Sequence, residues 1–309
     1  MLGPTDAEAQ APPEVNSRND ADRLSQSVTD RHGIIASGDG TCLFYRYWPA
    51  HEGTSSAPVV VVLHGIGYHS GPYRVIADAL NPRGMDVYAL DARGHGLSCG
   101  RRGYLGSPSE IAKDVSSVVE FARHQQPSAK IYLLGESMGG AYALNYAKDH
   151  SHQMAGLILL APAIAVSPHQ LWRLGNLPLL PYLLFARRKL AIDLAGERLE
   201  ESSRDRTFIA SRRTDPLAFK RVGFGYLFDI QHLVRRWKVE IAPTVLVPTL
   251  IIQGEKDLIV SQRACQQFVQ FQAAKDKQYS RFPSVRHTTL WDPETPKILQ
   301  FVGDWILKH

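Results

Sequence analysis

The sequence G-E-S-M-G at residues 135–139 constrains the fold more than any other part of this 309-residue chain. It follows the apolar run 131–134, precedes a stretch with helical character, and has the form G-x-S-x-G. Between a strand and a helix this motif makes a sharp turn, in which the serine is strained and its hydroxyl exposed. Side chains at Gly135 and Gly139 would collide across such a turn. The motif therefore predicts a strand, a tight turn with Ser137 at its apex, and a helix.

Other short apolar runs repeat the pattern of a buried strand followed by a helix. They are continuous rather than alternating, as expected for parallel strands covered on both faces, and lie at 59–63, 87–90, 131–134 and 157–160. The sequence Ser-Pro-Ser-Glu at 107–110 predicts a capped helix start between two of them. The turn sequence Gly-Asp-Gly at 38–40, between two β-prone runs, predicts an N-terminal hairpin.

The strand and helix rhythm stops after Val166 and resumes only near residue 247. We therefore predict an α/β fold with a mostly parallel central sheet, an N-terminal antiparallel hairpin and an inserted helical cap. The predicted divisions are a poorly ordered polar tail at 1–30, a core at 31–166 and 241–309, and the cap at 167–240.

Composition excludes several classes of protein. The net charge of +5 is only mildly basic, and no basic run is interleaved with aromatic residues, so nucleic-acid binding is not expected. The three cysteines, Cys42, Cys99 and Cys265, are far apart and lack the spacing of a structural metal site, so they are interpreted as reduced thiols. The acidic N-terminus does not resemble a secretory signal, which predicts a cytoplasmic location.

A serine hydroxyl becomes an effective nucleophile only beside a base that a carboxylate orients. In the strand-turn-serine context the chain order is serine, acid, histidine. The strand predicted at 249–252 leads to Asp257, which is the favoured acid, and Glu255 is the alternative because it lies in the same loop. His287 follows the last predicted strand and is the only histidine at the expected distance, so it is the predicted base.

The reaction of such a serine places negative charge on an oxygen, which backbone amides stabilise. The predicted donors are the amide of Met138, directly after the nucleophile, and that of Ile66, in the loop after the strand at 59–63. His64 precedes Ser137 in the chain and is given a structural role. The sequence D-A-R-G-H-G-L-S at 91–98 is interpreted as a loop tied by hydrogen bonds, since it lacks a dinucleotide fingerprint.

Five motifs occur in an order typical of one group: H-G-I-G at 64–67, D-A-R-G-H-G-L-S at 91–98, G-E-S-M-G-G at 135–140, G-E-K-D at 254–257 and V-R-H at 285–287. The chain resembles the monoacylglycerol lipase and lysophospholipase group of α/β-hydrolases, often filed with serine aminopeptidase-like hydrolases. The resemblance implies an α/β-hydrolase fold, a triad of Ser137, Asp257 and His287, and no metal or organic cofactor. One departure is Ser284, where the group often has glycine.

The predicted cap carries the basic excess of the chain. Residues 167–240 hold 14 Lys and Arg and 8 Asp and Glu, so 14 − 8 = +6. A Leu-rich stretch at 177–185 is followed by Arg187, Arg188 and Lys189. Two interpretations stay open: a lid resting on an anionic lipid surface, or a lid packed over an acyl pocket with solvated arginines. Both imply a substrate with an apolar chain.

The sequence therefore predicts hydrolysis of a carboxylic ester through an acyl-enzyme intermediate, and the resemblance implies a substrate of monoacylglycerol or lysophospholipid type. The same triad also serves thioesterases and small-ester esterases. A ligand-binding receptor of the same fold is the alternative from a different class.

Overall fold

The computed structural model describes residues 13–50, 57–103, 105–165, 167, 190–193 and 197–309. Its central sheet has eight strands: β1 Arg31–Ala36, β2 Cys42–Trp48, β3 Val59–Leu63, β4 Asp86–Leu90, β5 Ile131–Glu136, β6 Gly156–Leu160, β9 Thr249–Gly254 and β10 Lys277–Phe282. Across the sheet they lie in the order β1-β2-β4-β3-β5-β6-β9-β10. Strand β2 is antiparallel to β1 and β4, and the other pairings are parallel. The predicted fold class, including the N-terminal hairpin, is confirmed.

Both faces of the sheet are covered by helices, which explains the continuous apolar strands. In β3, Val59, Val61 and Leu63 enter one hydrophobic core, and Val60 and Val62 enter the other. The helices are α1 Arg18–Ser25, α2 Arg74–Leu80, α3 Pro108–Gln125, α4 Met138–His150, α5 Glu197–Ser202, α6 Arg206–Thr214, α7 Phe224–Val234, α8 Gln262–Phe271 and α9 Thr295–Lys308. Helices α3, α4 and α8 contribute to the first core, and α2 and α9 to the second.

Helix α3 begins where the sequence predicts. The Ser107 side chain accepts from the Glu110 amide, and the Glu110 side chain accepts from the Ser107 amide, so both halves of the capping box form. Pro108 occupies the first turn, where its missing N–H costs nothing. The buried residues of α3, among them Ile111, Val115 and Val118, repeat at helical spacing and face the sheet.

The segment between β6 and β9 interrupts the sheet. Its described part contains a small antiparallel pair, β7 Leu190–Asp193 and β8 Arg221–Gly223, the helices α5, α6 and α7, and a π-helical turn, Trp237–Ile241. The Leu-rich stretch and the basic residues Arg187, Arg188 and Lys189, on which both interpretations of the cap depend, lie outside the described residues.

Two cysteines form a disulfide, so the prediction of three reduced thiols is wrong for Cys42 and Cys99. They are 57 residues apart in the sequence, but Cys99 lies in the loop beyond β4, and its amide donates to the Cys42 carbonyl at 2.8 Å. Cys265 is free and buried. Disulfides are rare in cytosolic proteins, so this pair counts against the predicted cytoplasmic location.

Helix α1 lies within the stretch that the sequence assigns to a poorly ordered tail. Ser17 caps it by accepting from the Asp20 amide at 3.2 Å. Val15 and Ala21 are fully buried against the disulfide of Cys42 and Cys99. The tail prediction therefore does not hold for this helix.

No helix within the described ranges combines the length and the apolar character needed to cross a membrane.

Candidate active site

The turn between β5 and α4 has the geometry that its glycines predict. Ser137 has φ 51° and ψ −110°, a conformation that costs a non-glycine residue about 1–3 kcal/mol. A Cβ atom on Gly135 would overlap the backbone of Gly139, and one on Gly139 would overlap the carbonyl oxygen of Leu63. Strand β3 therefore ends directly against the start of α4.

Three predicted side chains meet at this turn. The Ser137 hydroxyl lies 2.9 Å from Nε2 of His287, and Nδ1 of His287 lies 3.0 Å from Oδ2 of Asp257. All three residues are less than 10% exposed. With the proton on Nδ1, His287 donates to Asp257 and accepts from Ser137, which leaves Nε2 free to act as a base toward the hydroxyl.

Asp257 is fixed by donors on both oxygens. Its Oδ1 accepts from the amides of Ile259 at 2.8 Å and Val260 at 3.0 Å, and its Oδ2 accepts from Gln253 at 3.1 Å as well as from His287. Burial alone would raise the pKa of Asp257, but the neighbouring His287 and these hydrogen bonds hold that pKa below its ordinary value. Asp257 is therefore an oriented carboxylate at neutral pH.

The alternative acid lies elsewhere. The Glu255 side chain pairs with Arg281 of β10 at 3.5 Å, and both groups are partly exposed to solvent. The structure thus places Asp257, and not Glu255, beside His287.

His287 lies in the loop after β10, where the sequence places it. A Cβ atom on Gly254 would overlap the carbonyl oxygen of Val285, so glycine at the end of β9 lets the acid and histidine loops pack together. Burial disfavours the charged imidazole, but Asp257 and, in addition, the charge of Glu136 raise the pKa of His287 above its ordinary value. The site therefore favours the imidazolium that forms during proton transfer.

The two predicted oxyanion donors lie at the same corner of the fold. Met138 is the first residue of α4, and Ile66 lies in the loop that follows β3. Within the described ranges neither amide donates to a protein acceptor. Because Gly139 of α4 lies against the carbonyl oxygens of Leu63 and His64, the loop that carries Ile66 begins beside the turn at Ser137.

A buried acid and a tyrosine support this corner, and neither was predicted. Glu136 is 3% exposed, and its carboxylate accepts from the Tyr73 hydroxyl. The same hydroxyl accepts from the Gly65 amide at 2.7 Å. Burial raises the pKa of Glu136 to about 7, against the opposing effects of Tyr73 and the charge of His287. The one sequence signal was a charged residue next to the serine at the end of a strand that is otherwise apolar.

His64 makes structural contacts, as expected. Its Nδ1 lies 2.8 Å from the Gly65 carbonyl oxygen, and its Nε2 accepts from the Ala92 amide at 3.0 Å. Burial lowers the pKa of His64 to about 4, so the ring is neutral at pH 7. It ties the loop after β3 to the loop after β4.

The loop at 91–98 is also held by hydrogen bonds, and one of its contacts is not predicted from the sequence. Asp91 accepts from the amides of Ser70 at 2.6 Å and Leu97 at 2.7 Å. Nε2 of His95 lies 2.6 Å from the Tyr226 hydroxyl, which also lies 3.1 Å from the sulfur of Met138. Helix α7 of the inserted segment thus contacts the residue that follows Ser137.

Within the part of the chain that the structure describes, no group of three or more His, Cys, Asp or Glu residues could hold a metal ion. The arrangement of hydroxyl, imidazole, carboxylate and free amides is suited to acyl transfer through a serine.

Known proteins are similar to this chain in sequence and in fold. The chain is 29% identical over 298 residues to a monoacylglycerol lipase of Mycolicibacterium smegmatis, covering 93% of this chain and all of that one. It is 30% identical over 279 residues to the monoglyceride lipase of Mus musculus, covering 88% and 89% of the two chains.

Two solved lipase structures have a similar fold. The crystal structure of a Paleococcus ferrophilus monoacylglycerol lipase aligns with a TM-score of 0.71 at 25% identity, over 86% of this chain and 99% of that one. A soluble variant of the Saccharomyces cerevisiae monoglyceride lipase, in complex with a substrate analogue, aligns with a TM-score of 0.78 at 23% identity, over 92% and 97%.

The sequence profile of the family described as serine aminopeptidase, S33, matches residues 54–294, which is most of the chain. Together with the relatives above, this match shows that the chain belongs to the S33 serine aminopeptidase family and is a serine ester hydrolase of the α/β-hydrolase fold.

Proposed function

We propose that the protein hydrolyses monoacylglycerols, with Ser137 as nucleophile, His287 as general base and acid, and Asp257 as the acid that orients His287. The observation that carries this proposal is the unbroken chain of contacts from Ser137 to His287 at 2.9 Å and from His287 to Asp257 at 3.0 Å. The named monoacylglycerol and monoglyceride lipases that align over most of this chain support the choice of substrate.

The steps follow from this geometry. Nε2 of His287 takes the proton of the Ser137 hydroxyl as the oxygen attacks the ester carbonyl carbon. The carbonyl oxygen becomes negative and accepts from the amides of Ile66 and Met138, each contributing about 3 kcal/mol to transition-state stabilisation. His287 then protonates the departing glycerol oxygen, which leaves the acyl group on Ser137.

Hydrolysis of the acyl-enzyme repeats these steps with water as the nucleophile. His287 removes a proton from water, the hydroxide attacks the acyl carbon, and the Ser137 oxygen leaves with the proton that His287 returns. The fatty acid is released and the enzyme is regenerated. Asp257 keeps its charge throughout and stabilises the imidazolium at both stages.

A chain-length series tests the substrate. If an apolar pocket holds the acyl chain, each added methylene contributes up to about 0.8 kcal/mol, so kcat/KM is expected to rise about fourfold per methylene until the pocket is full. The measurement compares monoacylglycerols with p-nitrophenyl esters of matched acyl length. Highest efficiency with acetyl esters would instead indicate a small-ester esterase, and a single burst of product without turnover would indicate a receptor.

We also propose peripheral contact with an anionic membrane through the basic inserted segment. Part of its basic excess is already engaged: Arg204 pairs with Asp292 at 2.5 Å, and Arg213 pairs with Glu200 at 2.7 Å. The proposal therefore rests on the cluster at 187–189, beside the Leu-rich stretch in the sequence.

Salt dependence tests this contact. Activity on anionic vesicles is expected to fall as salt is added, because surface charges are screened, while activity on a soluble short ester stays constant. Replacing Arg187, Arg188 and Lys189 with Gln should remove the salt response. An unchanged salt response in that variant would instead indicate a lid that packs on the protein itself and does not contact the membrane. The cytoplasmic location stays a prediction.

A further inference from the structure

The loop that follows β3 is held on both sides of Ile66. On one side, the Gly65 amide donates to the Tyr73 hydroxyl at 2.7 Å, which anchors the loop to the core. On the other side, the Gly67 carbonyl oxygen accepts from Nη2 of Arg212 at 2.7 Å and from the Phe219 amide at 2.9 Å. Both of these donors belong to the inserted segment between β6 and β9. The position of the Ile66 amide therefore depends on residues 145 or more positions later in the chain.

Arg212 is buried in an unusual way for a cation. It is 3% exposed, at the end of α6, and its guanidinium lies 4.7 Å above the ring of Tyr68. Within the described residues it forms no ion pair with a carboxylate. Its Nη2 donates to two carbonyl oxygens, those of Gly67 and Phe219, at 2.7 and 2.9 Å.

Burying a charge costs several kcal/mol, which its hydrogen bonds and neighbouring charges must offset. Burial lowers the pKa of Arg212, and the charge of Asp215, the nearest acid in the sequence, opposes this effect although Asp215 directs its hydrogen bonds elsewhere. Asp215 accepts from Nε2 of His69 at 2.8 Å and from the Leu217 amide at 2.8 Å. His69 also belongs to the loop after β3, so the inserted segment holds this loop at two points, Gly67 and His69.

We infer that Arg212 is a positioning residue for ester hydrolysis: through the Gly67 carbonyl it fixes the Ile66 amide toward the oxygen that becomes negative. Gly67 has φ 63°, a conformation in which the chain turns immediately after Ile66. Losing the contact at Gly67 would let that turn, and with it the amide, rotate. The buried positive charge also favours a negative oxygen nearby. The inference rests on the proposed role of Ile66, and it makes the inserted segment part of the catalytic apparatus as well as a cover.

The test compares Arg212→Met with its neighbour. Arg213 lies next to it on the same helix but is exposed and pairs with Glu200, so Arg213→Met is the matched control. Because a single oxyanion donor is misplaced, Arg212→Met is expected to lower kcat about 10²- to 10³-fold on a soluble short ester, with KM changed less than about twofold. Arg213→Met should retain the activity of the unmodified protein.

A second measurement separates positioning from a merely structural role. A trifluoromethyl ketone forms a tetrahedral adduct whose oxygen occupies the oxyanion site, whereas the corresponding secondary alcohol does not. In Arg212→Met the inhibition constant of the ketone should rise by the same factor as kcat/KM falls, and that of the alcohol should stay unchanged. Thermal melts and stoichiometric labelling with a fluorophosphonate establish that each variant is folded.

If Arg212→Met does not fold, Arg212→Lys is measured in its place. Its shorter ammonium keeps the charge but cannot reproduce the guanidinium geometry, so a loss of about tenfold in kcat is expected, with KM unchanged. A kcat equal to that of the unmodified protein in either folded variant, or a loss confined to KM, would overturn the inference. Failure of the proposed function is distinct, because the unmodified protein would then not prefer monoacylglycerols in the chain-length series, while the effect of Arg212→Met on a soluble short ester could still be measured.

Discussion

Replacing Ser137 with Ala is expected to lower kcat for ester hydrolysis about 10⁶-fold while leaving the fold intact. The change removes the oxygen that attacks the substrate and its contact with Nε2 of His287 at 2.9 Å. Alanine has the same difficulty as serine at φ 51°, so the turn gains no new strain. Loss of one hydrogen bond should shift the melting temperature by no more than about 2–3 °C. Initial rates on a p-nitrophenyl ester and a thermal melt provide the two measurements.

Ser116→Ala is the matched control for this change. Ser116 lies on α3, away from the turn, and its hydroxyl donates to Glu120 at 2.7 Å. That variant should retain full activity and full labelling by a fluorophosphonate, whereas Ser137→Ala should not be labelled. Substantial residual hydrolysis in a purified Ser137→Ala protein would assign the nucleophile to another residue.

Much of the fold follows from local sequence. The strands between 59 and 160 are largely apolar because each is buried on both faces. The capping box at Ser107 and Glu110 fixes a helix start through contacts three residues apart. The contact between Gly135 and Gly139 in the turn at Ser137 is also local, whereas the contact of Gly139 with Leu63 at the end of β3 is not. Asp257 and His287 could be predicted because each follows a strand at the same edge of a parallel sheet.

Other features depend on contacts that no local pattern records. Cys42 and Cys99 meet because β2 runs antiparallel to β4, which carries the loop beyond β4 past the start of β2. An odd number of cysteines without regular spacing gives no indication of this pairing. The segment that contains helix α1 packs through Val15, Ala21 and the partly buried Leu24, too few apolar residues to form a periodic pattern.

The supports of the oxyanion loop are also non-local. Tyr73 and Glu136 are 63 residues apart, and Arg212 reaches Gly67 across 145 residues. In the sequence Arg212 is one of a series of arginines in a basic segment, and only its burial sets it apart. Charge counting therefore cannot separate Arg212, which the structure buries against the loop after β3, from the other basic residues of this segment.

Asp257→Asn is expected to lower kcat about 10⁴-fold, because the two carboxylate oxygens of Asp257 have different hydrogen-bond partners. Oδ1 accepts two backbone amides, from Ile259 and Val260, so the carbonyl oxygen of an asparagine would keep that position. Its NH₂ group would then replace Oδ2 and face Nδ1 of His287. Two donors cannot face each other, so His287 would carry its proton on Nε2 and could not accept from Ser137.

Glu255→Gln is the matched control, since it removes a carboxylate two residues away that pairs with the partly exposed Arg281. It should cost less than about twofold, as expected for an exposed ion pair. The pH profile gives an independent readout. Activity needs neutral His287, so in the unmodified protein kcat/KM falls as pH drops through the raised pKa of His287. Without the Asp257 carboxylate that pKa is lower, so the acid limb of the residual activity should move to lower pH. A larger loss in Glu255→Gln than in Asp257→Asn, or an acid limb that moves only in Glu255→Gln, would transfer the orienting role to Glu255.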